Sequence, residues 1–291
     1  MANTRQLKRR INTAGNISKI TKAMEMVAAS KMKKAQHQAL AARPYAQELY
    51  QALQKVSDVI DSEIHPLLAD HGQGVDLALV IATDKGLCGS LNAHLLKSLA
   101  DWQEQYPNSQ VVAVGKKAVN FVRQLNMEIH AQFTDLPEKL LINDLVPIID
   151  LLMNGFQKHQ FASVHLIYMD FINTLSQQPK TTQLLPIVDF STPDVVEQKV
   201  AAKSLTKTYL FEPSAKQILR QLLPFYVKNT VYHAFLEAKA SEHSARMVAM
   251  KNASENAQDL MAELRLVYNK SRQASITNEL LDITTAQLGL E

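Results

Sequence analysis

The sequence predicts an α/β protein in which an alternating strand and helix domain lies between two long terminal helices that pair as a coiled coil. Three observations lead there. Helix breakers are scarce at both ends: Gly15 is the only glycine or proline before Pro44, and there is none from Phe225 to Leu288. Apolar residues in both ends recur at heptad spacing. Between them, short runs of branched and aromatic residues alternate with helical stretches, the pattern of a doubly wound, mainly parallel sheet.

The C-terminal run would form a rod of roughly 96 Å at 1.5 Å per residue. A globule made from the whole 291-residue chain would measure only about 50 Å across, so the helix should project. Val227, Val231, Ala234, Ala238, Ser241, Ala245 and Val248 step by four and three. After a phase slip, Leu260, Leu264, Val267, Ser271 and Ala274 resume the rhythm. Leu7, Ile11, Ala14, Ile17, Thr21, Met24 and Ala28 mark a second seam. Alanine, serine and threonine bury little area, so an enclosing partner is expected to stabilise the rod.

In the middle, 75–83, 110–115 and 161–171 read as buried strands, while 91–106, 116–125 and 143–160 read as helices. Further strand-like segments lie at 181–188 and 207–211. Polar joints fall at 71–74 and 191–202. The expected division is a helix over 1–60, an α/β domain over 75–212 and a second helix over 213–291.

The net charge is only +3, yet residues 1–43 carry ten basic side chains against one acidic one, Glu25. Such an arm suits nucleic acid, anionic lipid or a carboxylate-rich protein surface, or is a solvated helix face. It has no aromatic residue before Tyr45, which argues against stacking on bases. Cys88 is the single cysteine, so an internal disulfide is excluded. The chain shows no apolar run near its start that would read as a secretory signal, and none long enough to cross a membrane.

Chemistry-bearing patterns are sparse. Asp84-Lys85-Gly86-Leu87-Cys88-Gly89-Ser90 follows a strand and opens a helix, where phosphate-cradling loops sit. It lacks the third glycine of a dinucleotide fingerprint and the ending of a P-loop, as does Gly115-Lys116-Lys117. A tight turn needing backbone freedom at Gly86 and Gly89 is the plainer reading. Cys88 at that helix start has no base supplied by the sequence and reads as a small buried thiol. The histidines have no zinc-ligand spacing, so no metal or cofactor is expected. Met24, Met26, Met32, Met247, Met250 and Met261 all fall in the long helices, where methionine gives an adaptable surface or plain packing.

Several strings together carry a family resemblance. Residues 20–32 (ITKAMEMVAASKM) with Arg43-Pro44-Tyr45, then 245–251 (ARMVAMK), 266–270 (LVYNK) and 272–280 (RQASITNEL), closely resemble the terminal helices of the gamma subunit of bacterial F-type ATP synthase. Residues 83–92 (TDKGLCGSLN) and 171–175 (FINTL) resemble its middle domain. The resemblance implies an antiparallel coiled coil inside a ring of alpha and beta subunits, with a Rossmann-like domain near the epsilon subunit and the membrane c-ring. It also implies a non-catalytic rotor that binds no cofactor or nucleic acid and reaches the membrane only through its complex.

By motif position, the resemblance puts Lys22, Met24 and Lys31 opposite moving beta loops. Arg272, Gln273 and Thr277 would make polar contacts higher in the ring, and Tyr209 to Glu212 would sit at the foot near epsilon and the c-ring. Ser90 replaces a common glycine, and 254–259 (SENAQD) lacks one found in some relatives. The two-cysteine insertion of the plastid form is absent. With no transit peptide visible, a bacterial protein on the cytoplasmic face of the inner membrane is expected.

Overall fold

The computed structural model describes residues 2–57, 65–70, 72–187, 212 and 214–288. Its elements run α1 (Ala2–Ser57), β1 (Val75–Ile81), α2 (Leu91–Gln105), β2 (Gln110–Val114), α3 (Lys116–Gln124), β3 (Glu128–Phe133), α4 (Val146–Gln157), β4 (Phe161–Phe171), β5 (Gln177–Leu185) and α5 (Ala215–Leu288). The fold is the expected α/β class. The chain forms two compact units, one of residues 1–30 with 246–291 and one of residues 31–245. Helices α1 and α5 contribute to both.

In the larger unit the strand order is β3-β2-β1-β4-β5, parallel except for β5, which pairs antiparallel with β4. Alternation along the strands divides the side chains between two faces. Ala78 and Val80 of β1 turn toward Leu95, Leu99 and Trp102 of α2 and toward Val119 and Val122 of α3. Leu77, Leu79 and Ile81 turn the other way, into a core with Ile149, Leu152 and Phe156 of α4, Leu49 and Leu53 of α1, and Leu223, Val227 and Val231 of α5. Three layers result, with the sheet in the middle.

Several sequence expectations shift here. The strand β3 was not foreseen, because its residues alternate exposed and half-buried at the sheet edge and include Glu128 and His130. The fourth helix begins at Val146 after a short 3₁₀ turn at Ile142–Leu145, and the expected strand at 181–188 starts earlier, at Gln177. The segments 191–202 and 207–211 lie outside the described residues. Both long helices run through a proline, Pro44 in α1 and Pro224 in α5. An interior proline costs about 3 kcal/mol. Tertiary burial offsets it: Leu219 and Leu223 seat the first turns of α5, and Leu49, Tyr50 and Leu53 seat α1 beyond Pro44.

The stripe Val227, Val231, Ala234 and Ala238, read from sequence as a coiled-coil seam, packs into this α/β core instead. There α5 is buried nearly all round, with Tyr50 edge-on to Tyr226, their ring centroids 5.3 Å apart.

The smaller unit is the coiled coil. Its seam on α1 is Leu7, Ile11, Ala14, Ser18, Thr21, Glu25 and Ala28, all buried or half-buried. On α5 it is Met250, Ser254, Ala257, Met261, Leu264, Tyr268, Ser271 and Ser275. Both advance by four and three. The Ser18 and Ser254 hydroxyls lie 3.3 Å apart, and a Cβ at Gly15 would stand 3.5 Å from the Met261 sulfur. The pair is antiparallel, since later positions on α5 meet earlier ones on α1.

The expected register was therefore wrong by one residue at several places. Ile17, Leu260 and Val267 are 47%, 50% and 51% exposed, and Ala274 is exposed too. Their neighbours Ser18, Met261, Tyr268 and Ser275 hold the seam. Ser18 and Ser275 are small and polar, whereas Met261 and Tyr268 are at least as large as the neighbours that face outward, so side-chain size alone does not set the register.

Candidate functional site

An open α/β sheet binds ligands at the carboxyl ends of its strands where the winding reverses, here between β1 and β4. That crevice is filled from within the larger unit. Phe235, Ala238, Lys239 and Glu242 of α5 lie over the ends of β1 and β2 with Met169 of β4, leaving a partly open space of only about 40 Å3. Ser241 Oγ donates to the Met169 carbonyl at 3.1 Å, and Ser244 Oγ donates to the Thr174 carbonyl at 2.8 Å. A ligand pocket measures roughly 300–1,000 Å3, so no nucleotide fits.

The loop after β1 is built as a clasp for this packing. Thr83 Oγ1 donates to the Lys85 carbonyl at 2.8 Å, and Asn92 Nδ2 donates to Thr83 Oγ1 at 2.9 Å and reaches the Cys88 sulfur at 3.2 Å. Asp84 accepts the Lys116 amide at 3.1 Å. The left-handed positions are Leu87 and Gly89, with φ of 64° and 61°, so the freedom expected of Gly86 is taken by Leu87. Gly115, at φ 90°, has the Ala82 carbonyl oxygen 2.3 Å from where a Cβ would stand. Protein backbone, not a phosphate, fills the space that glycine leaves. Cys88 is 2% exposed, as a structural thiol should be.

The coiled coil presents the other feature out of the ordinary. Ile17, Ile20, Met26 and Val27 of α1, and Leu260, Leu266, Val267, Ile276, Leu280, Leu281 and Ile283 of α5, are 47% to 73% exposed. Scattered exposed apolar residues are normal, but so many on one helical pair mark a surface meant to be covered. Alongside them run Arg5, Lys8, Arg9, Arg10, Lys19 and Lys22 of the basic arm.

The residues that the resemblance singled out fall in several places. Lys22 is exposed and pairs with Glu25 one turn on, at 3.0 Å, and Met24 is half-buried beside the seam. Lys31 belongs to the larger unit, where its ammonium pairs with Glu138. Arg272, Gln273 and Thr277 are exposed on α5, the Thr277 hydroxyl donating to the Gln273 carbonyl at 3.0 Å. Glu212 is exposed, and Tyr209 lies outside the described residues. Sequence reasoning missed Phe235 and Ser241 as the plug of the crevice. Little in the sequence signals them, because the surrounding turns of α5 mix apolar residues with polar ones that are buried too, among them Asn229, His233, Glu237 and His243.

A helical pair that leaves large apolar side chains exposed, together with an α/β unit whose crevice is too narrow for a nucleotide, is the build of a structural subunit within a larger assembly. Comparison with known proteins agrees. The ATP synthase family profile matches residues 3–289. The ATP synthase gamma chain of Akkermansia muciniphila is 42% identical, with the match covering 100% of both chains. That of Pasteurella multocida is 38% identical over 97% of this chain and 98% of its own. A chain of the Tetrahymena thermophila mitochondrial ATP synthase central stalk and c-ring superimposes with a TM-score of 0.60 at 25% identity, over 81% of this chain and 99% of that one. A chain of the Euglena gracilis mitochondrial ATP synthase shares the fold, with a TM-score of 0.68 at 17% identity over 99% and 95%. The chain belongs to the ATP synthase gamma chain family.

Proposed function

We infer that this chain is the central rotor of a bacterial F-type ATP synthase. It is a non-catalytic shaft that couples proton-driven rotation of a c-ring to ATP synthesis at the beta subunits, and it carries torque the other way when ATP is hydrolysed. The outward-facing apolar surface of the coiled coil carries the reading. The seam is small at Ala14, Ser18, Ser254 and Ala257, and Ile17, Ile20, Leu260 and Val267 are left exposed, which suits a shaft turning inside a surrounding sleeve.

The alpha and beta subunits supply that sleeve, and epsilon and the c-ring meet the α/β unit. Rotation performs work because each orientation of an asymmetric shaft stabilises the open and closed beta conformations by different amounts. Lys22, Met24 and Lys31 are proposed to face beta loops, Arg272, Gln273 and Thr277 to hold the upper ring, and Tyr209 and Glu212 to meet the foot. No helix among the described residues is long and apolar enough to cross a membrane. Attachment to the cytoplasmic face of the inner membrane therefore runs through the complex.

Reconstitution tests this reading. The purified chain alone should hydrolyse no ATP, and adding it to alpha and beta subunits should assemble a ring with high ATPase activity. Robust turnover by the chain alone, or failure to copurify with either subunit in a gentle preparation, would sink it.

A further inference from the structure

Within the larger unit, a second cavity of about 590 Å3 opens between α1, α5 and the loop after β3. Its walls are cationic. Lys31 and Lys34 come from successive turns of α1, Lys239 from α5 and Lys139 from the loop; Glu138 is the one acidic side chain among the described lining residues. The floor is apolar: Ala35, Leu140 and Leu236 are 7%, 1% and 1% exposed.

The electrostatic field is already felt there. Glu138 is held below the usual carboxylate range, first by its hydrogen bond from Lys31, with the charges of Lys31, His243 and Lys239 adding to it. Lys239 Nζ donates to the Pro137 carbonyl at 3.1 Å, which fixes its ammonium at the mouth. One carboxylate against four ammonium groups leaves an excess of positive charge over an apolar floor. That is the anatomy of a small-ligand pocket: an apolar base with convergent charged groups at the rim, in the volume range such ligands need.

We propose that this cavity binds a small phosphate-bearing organic anion, its phosphates on Lys34, Lys139 and Lys239 and its apolar portion on Leu140 and Leu236. Lysine suits this role because its ammonium is a compact charge on a flexible stem that adapts to a multiply charged group. The site is separate from the sealed crevice at the ends of β1 and β4, and it stands whether or not the rotor reading holds.

The test is calorimetric titration of the full-length chain with ADP and, in parallel, with inorganic pyrophosphate. Saturable one-to-one binding is expected for both, tighter for ADP because only it reaches the apolar floor. The double substitution Lys34→Gln and Lys139→Gln, at two exposed positions, should weaken both at least tenfold. The control pair Lys97→Gln and Lys117→Gln, also exposed, removes the same charge elsewhere and should leave binding within twofold. Circular dichroism confirms that the variants fold. No saturable heat with either probe, or equal weakening by the two double variants, overturns the proposal.

Discussion

Replacing Phe235 by alanine probes the seal over the crevice most sharply. The ring is 1% exposed and lies over the carboxyl ends of the strands, beside Met169 of β4 and Leu95 of α2. A buried Phe→Ala change costs about 3–5 kcal/mol from lost transfer energy and the cavity left behind. Total stability is only about 5–15 kcal/mol. With a urea slope of about 2 kcal/mol per M, the unfolding midpoint should fall by roughly 1.5–2.5 M. Trp102 is the sole tryptophan, is 3% exposed and belongs to the same unit, so its fluorescence reports the transition directly. A midpoint shift under about 0.5 M, equivalent to about 1 kcal/mol, would show that α5 is not seated over the strands and that the crevice is open.

Three further outcomes follow from particular contacts. Gly155→Ala puts a Cβ 2.1 Å from the Phe161 ring, which is 1% exposed; a loss of about 1–3 kcal/mol is expected by urea unfolding, although alanine is the better helix former. Burial lowers the pKa of His165 below 6.5 against the opposing charge of Asp76, so the unfolded chain binds a proton that the folded chain resists. Stability should be full above about pH 6.5 and decline as pH falls below it; His165→Gln should flatten that slope in urea titrations between pH 7.5 and 5.5, and an unchanged slope refutes the assignment. In the coiled coil, Ile17→Ala should leave helix melting by circular dichroism within about 0.5 kcal/mol, while Ala28→Leu, at a position 2% exposed, should cost about 1–3 kcal/mol.

The buried strands were legible because β1, β2 and β4 are rich in branched and aromatic residues with few polar interruptions, as strands covered on both faces are. β3 was not, since an edge strand exposes every second side chain and Glu128-Ile129-His130 resembles a loop. The heptad rhythm revealed a coiled coil but misplaced its register, because hydrophobicity marked Ile17, Leu260 and Val267, while their neighbours Ser18, Met261 and Tyr268 hold the seam. The sealed crevice was illegible for a different reason. Phe235 and Met169 are distant in sequence, and only the fold brings them together. The partner-facing residues came from motif resemblance alone, as an exposed Arg272 or Thr277 carries no local signature.

Rotation itself is the most direct test of the central claim. Cys88 is buried, so Glu212→Cys places a single accessible thiol on the exposed side of the α/β unit for attaching a bead. With the alpha and beta ring fixed to glass and ATP supplied, the account predicts sustained stepwise rotation of the bead in one direction. A stationary or randomly fluctuating bead on a ring that hydrolyses ATP at full rate would contradict it.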